Sequence, residues 1–125
     1  MQSALKLLLA LFGAVCAVIA SAHIAFGPAS IPGSVPVNAI MDSEDRFYAA
    51  LFLGFGLATI WVSRELKTRG GVLAALLAVF FVGGIARIIS WLAVGPPSPL
   101  FMFLGSLELL MPPLLWWLYR RAYPA

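Results

Sequence analysis

The chain has 125 residues, 62% of them hydrophobic and 10% charged, with a formal net charge of +3 and a mean hydropathy of +1.01. A soluble domain carries about 25% charged residues, and no aqueous core in so short a chain absorbs this much apolar side chain, so the bilayer is the solvent this composition fits. The basic residues fall in short clusters between apolar segments, as topology signals do, so no nucleic-acid partner is expected.

Four stretches reach the roughly 20 apolar residues that cross a bilayer. They cover residues 5–26, 43–62, 72–94 and 100–119. The runs are too long for strands and do not alternate. The expected fold class is all-α: one transmembrane domain over residues 1–125, a four-helix bundle made of two helical hairpins.

The first stretch has a rival reading as a signal peptide, with an apolar region over 7–20 and Ala20-Ser21-Ala22 as a small-x-small cleavage site. Against it, only Lys6 supplies positive charge, the apolar run continues through Ile24-Ala25-Phe26, and cleavage would leave three spans. Retention of the segment is expected. Cys16, within this stretch, is the single cysteine, so there is no intrachain disulfide and no metal cluster of the usual spacings. His23 is close to its outer end. The following separator, 27–42, is rich in Pro and Gly and long for a connection inside a compact domain.

Asn38 precedes the second span, which opens with Asp42-Ser43-Glu44-Asp45-Arg46. Asp42 or Ser43 is the expected N-cap, with acids in the first turn offsetting the helix dipole. Capping requires neither a third acid nor Arg46. A charged turn over 63–71 leads to the third span, which holds Arg87 in mid-run, with Gly83 and Gly84 one turn before it and Ser90 and Trp91 one turn after. After a turn containing Pro96, Pro97 and Pro99, the fourth span holds Glu108, preceded by Gly105 and followed by Pro112 and Pro113. Those prolines deprive the carbonyls of Glu108 and Leu109 of their helical donors.

Orientation follows from the basic residues. Lys6, Arg64, Lys67, Arg69, Arg120 and Arg121 share one side of a four-span arrangement; only Arg46 lies on the other, among Asp42, Glu44 and Asp45. Both termini are therefore expected in the cytoplasm, and the first loop outside. Tyr48, Trp91, Trp116, Trp117, Tyr119 and Tyr123 fall near span ends, where amphipathic rings prefer to sit.

Arg87 is about 10 Å from the outer end of its span, and Glu108 about 12 Å from the outer start of the next, at 1.5 Å per residue. A short turn makes these helices antiparallel neighbours, so the two charges are expected to pair. Isolated charges in lipid cost from about 3 to more than 10 kcal/mol. The candidate binding residues are Arg87, Glu108, Ser90, Trp91, Glu44, Arg46, His23 and Asn38, all in the outer half. They are open to three readings: an ion-pair network that fixes packing, a pocket for a lipid or quinone-like amphiphile, and proton movement or catalysis.

The leading expectation is a non-catalytic membrane protein whose outward pocket takes a lipid or small amphiphile. An accessory subunit of a larger membrane complex is the alternative, and a small membrane-embedded enzyme the third. No phosphate loop, metal-binding histidine pair, haem attachment motif or nucleophile elbow occurs. Neither cofactor nor metal is expected.

The run Asn38-Ala39-Ile40-Met41-Asp42-Ser43-Glu44-Asp45-Arg46-Phe47-Tyr48, with Leu53-Gly54-Phe55-Gly56 after it, resembles the DUF4345 family of small bacterial membrane proteins. So do Gly83-Gly84-Ile85-Ala86-Arg87-Ile88-Ile89-Ser90 and Glu108-Leu109-Leu110-Met111-Pro112-Pro113. The resemblance implies a four-helix integral membrane protein and leaves its activity undefined.

Overall fold

The computed structural model describes residues 1–125, folded as helices and turns without strands. Four long helices follow in order, α1 (Gln2–Phe26), α2 (Ala39–Ser63), α3 (Gly70–Val94) and α4 (Pro99–Ala122), with a 3-10 turn at Gly27–Ser30. Each is long and apolar enough to cross a membrane. Large apolar side chains such as Val18, Leu92 and Val94 are exposed, a surface suited to hydrocarbon and not to water.

The helices extend beyond the predicted spans, most of all at the start of α2. Asn38, in extended conformation, accepts a hydrogen bond through Oδ1 from the Met41 N–H at 2.9 Å. Asn38, and not Asp42 or Ser43, is therefore the N-cap. The separator predicted over 27–42 shortens to 27–38, because the apolar Ala39-Ile40-Met41 and Asp42 after them already form the first turn of the helix. Asn38→Ala removes the acceptor and is expected to cost about 1 kcal/mol, read as a small drop in the thermal midpoint of the purified protein.

The chain forms two compact units, residues 6–65 and residues 1–5 together with 66–125. In the first, α1 and α2 approach closely at two glycines. A Cβ on Gly13 would stand 2.6 Å from the Gly56 carbonyl oxygen, and one on Gly56 would stand 2.7 Å from the Gly13 carbonyl oxygen. Only hydrogen at both positions permits this backbone approach, the usual device where lipid supplies no hydrophobic drive for helix association. The Phe12 and Phe55 rings meet edge to face beside it, with centroids 6.0 Å apart.

In the second unit, α3 and α4 pack as an antiparallel hairpin. Gly95, at φ +117°, ends α3, with its N–H donating to the Trp91 carbonyl at 2.9 Å. Pro99 then begins α4 at a position where a missing N–H costs nothing. At the opposite end Gly70 lies against Tyr119, whose hydroxyl donates to the Leu66 carbonyl at 3.2 Å. The Gln2 side-chain amide donates to the Ala122 carbonyl at 2.9 Å, satisfying a carbonyl in the last turn of α4.

Candidate functional site

The eight predicted residues divide four and four between the units. In residues 66–125 the pairing inferred from equal depth is present: Arg87 Nε donates to Glu108 Oε2 at 2.6 Å. Glu108 is the more enclosed partner, its side chain 13% exposed against 42% for Arg87.

Three features of α3 and α4 allow this contact. Gly84 is buried where the helices meet, since a Cβ there would lie 2.9 Å from Leu109 side-chain atoms and 3.1 Å from the Glu108 Cβ. Gly83, the other glycine one turn before Arg87, has open space around it instead. Gly105 provides the bed for the arginine stem, a Cβ there lying 3.3 Å from the Arg87 Cδ. The Arg87 guanidinium also lies 5.9 Å from the Phe101 ring centroid, within range of a cation–π attraction.

Phe101 was not among the predicted residues. Its signal was present, because Phe101, Gly105 and Glu108 follow the 4-then-3 spacing of one helix face. Ser90 and Trp91, one turn further along α3 from Arg87, have exposed side chains.

In residues 6–65, Arg46 is held on both sides. Its Nε and Nη2 donate to the two oxygens of Asp42 at 2.8 and 3.3 Å, and its Nη1 donates to the carbonyls of Ile24 and Ala25 at 2.8 and 3.2 Å. The arginine thus occupies the C-terminal end of α1, where the helix dipole favours a cation. Gly27, buried and at φ +65°, gives it room; a Cβ there would lie 2.7 Å from Asp42 Oδ1 and 2.9 Å from Arg46 Nη2. His23 Nδ1 lies 3.1 Å from Asp45 Oδ2. Glu44 is exposed, and the Asn38 side chain is engaged as the cap of α2.

The two groups differ in what they leave available. The bonds from Arg46 to the Ile24 and Ala25 carbonyls and the His23–Asp45 contact tie the end of α1 to the start of α2, and most of the Arg46 donors are used. At Arg87 only Nε is used, by Glu108. The four N–H groups on the two terminal nitrogens form a planar donor fork matched to carboxylate or phosphate oxygens.

Four membrane-length helices, with a charged pair on an apolar hairpin, define a multi-pass membrane protein. More narrowly, the chain belongs to the DUF4345 family, described as a domain of unknown function, which matches residues 4–119. No curated protein matches the chain. No solved structure matches it either.

Proposed function

We propose that this is a non-catalytic protein of the bacterial inner membrane, and that its α3–α4 hairpin binds the polar head of a lipid or small amphiphile at Arg87 and Glu108. The observation that carries this reading is the arginine's donor inventory. A guanidinium within an apolar helix spends one donor on Glu108 and keeps four N–H groups at a half-exposed position. Donors in hydrocarbon are costly to leave without acceptors, so an anionic or carbonyl-bearing head gains several bonds there. Glu108 fixes the orientation of the fork through Nε.

Arg87→Lys tests the fork separately from the charge. Lysine keeps the ion pair with Glu108 as a point charge but has no planar fork. Native mass spectrometry of protein taken from its own membrane should show the same folded species with the co-purified amphiphile reduced by about tenfold, the equivalent of one lost charge-assisted hydrogen bond. Undiminished adduct on the lysine variant would remove the fork from the account.

The orientation belongs to the same proposal. The six-to-one split of basic residues outside the central pair supports cytoplasmic termini. A reporter fused after Ala125 should be active only on the cytoplasmic side, and a cysteine introduced at Ser34 should react with an impermeant reagent from outside. A C-terminal reporter active outside would invert the arrangement.

A further inference from the structure

Charge, depth and hydrogen-bonding capacity at the Arg87–Glu108 pair each constrain the kind of head that can bind there. The guanidinium and the carboxylate meet at 2.6 Å, so the pair as a whole carries no net charge. Arg87 is the one charged residue of α3, and on α4 the next charge after Glu108 is Arg120, about 18 Å along the helix. An anion at the arginine fork would have the Glu108 carboxylate as its neighbour. Like charges brought together in a medium of low dielectric repel strongly, and an uncharged head meets no such penalty.

Depth points the same way. Arg87 lies seven residues before the end of α3 at Val94, and Glu108 nine after the start of α4 at Pro99. At the helical rise these are about 10 and 13 Å from the turn that joins the helices. The 25 residues of α3 make about 37 Å of helix against about 30 Å of hydrocarbon, which leaves about 3–4 Å at each end in the headgroup layer. The pair is then about 6–9 Å inside the hydrocarbon. A phospholipid phosphate would have to be drawn below its own layer and stripped of water to reach it. A small uncharged head on an apolar tail reaches that depth at far lower cost.

The pair also has both kinds of hydrogen-bonding capacity to offer. Arg87 keeps the four N–H groups on its terminal nitrogens. Glu108 is engaged through Oε2 and is not fully buried, which leaves Oε1 as an acceptor. Pro112 and Pro113 lie inside α4 and remove the helical donors of the Glu108 and Leu109 carbonyls, adding acceptors on the same stretch of helix. A head that only accepts satisfies the arginine and leaves the carboxylate. A hydroxyl beside a second oxygen satisfies both.

Building on the binding of an amphiphile at this pair, we infer that its head is uncharged and bears a hydroxyl donor close to a carbonyl or ether acceptor. The acceptor lies against the Arg87 fork, and the hydroxyl donates to Glu108. Acylglycerols and isoprenoid quinols share this head chemistry.

The test titrates the full chain, in a polyoxyethylene detergent, with dioleoylglycerol and, under reducing conditions, with decylubiquinol. Each is run beside its O-methylated form, and phosphatidylglycerol is the anionic contrast. Native mass spectrometry and calorimetry read saturation. At least one hydroxyl-bearing probe should saturate, bind more tightly than phosphatidylglycerol, and bind about tenfold or more tighter than its O-methylated form, the equivalent of one lost hydrogen bond to a charged acceptor. Which of the two binds identifies the source of the head. Glu108→Gln leaves the arginine charge uncompensated and should reverse the order, so that phosphatidylglycerol is preferred. A fold defect would weaken every ligand alike, and the comparison of ligands on the wild type needs no variant. A wild-type preference for phosphatidylglycerol, or equal affinity for a hydroxyl probe and its O-methylated form, would overturn the inference while leaving an amphiphile site at the pair. No saturable binding of any probe would also overturn it, and the proposed function would then stand or fall on the co-purified adduct alone.

Discussion

Arg87→Leu is expected to destabilise the protein by about 3 kcal/mol, the lower end of the cost of stripping one partner from a buried ion pair. The substitution leaves the more enclosed Glu108 carboxylate, 13% exposed, with no cation at 2.6 Å. Glu108→Leu should cost less, since a long arginine stem can carry its charge toward the interface about 10 Å away. Replacing both with leucine should recover much of the loss, because an apolar pair in lipid has no charge to desolvate. Thermal melts of the four proteins in one detergent measure the coupling. Strictly additive effects would show that the contact does not stabilise the fold.

A second large effect is expected at the α1–α2 crossing. Gly56→Leu must place a Cβ 2.7 Å from the Gly13 carbonyl oxygen and 2.9 Å from the Ala17 nitrogen. Both are backbone atoms, so no rotamer change relieves the clash and the helices must separate. Overpacking of a tight contact costs about 1–3 kcal/mol, and a backbone clash belongs at the upper end. Gly54→Leu is the control, because nothing lies within 4 Å of its Cβ position. The pair of variants should differ clearly in thermal midpoint, and equal behaviour would mean that the close approach contributes nothing to stability. Gly56 is thus buried against Gly13, whereas Gly54 faces open space.

What the sequence revealed depended on the kind of signal each feature leaves. Four membrane helices were legible because their apolar runs are long and the separators carry charge, Gly or Pro. The Arg87–Glu108 contact was legible because equal depth on antiparallel neighbours leaves few alternatives for two charges in lipid. Helix phase was harder. Gly83 and Gly84 are adjacent and both one turn from Arg87, and only the rotation of α3 against α4 decides that Gly84 is the one at the contact. The role of Arg46 was hidden for another reason: two of its partners are the backbone carbonyls of Ile24 and Ala25, and an acceptor common to every residue leaves no mark in a sequence. The Asn38 cap was legible in residue type but lost to the apolar window, which started the second span too late.

The most direct test of the proposed site is native mass spectrometry on the Arg87→Leu/Glu108→Leu double variant, extracted from the same membrane as the wild type. The double variant should fold and melt close to the wild type and yet lose the co-purified amphiphile that the wild type carries. The same adduct at the same occupancy on both proteins would contradict the account, and the pair would then be a packing device alone.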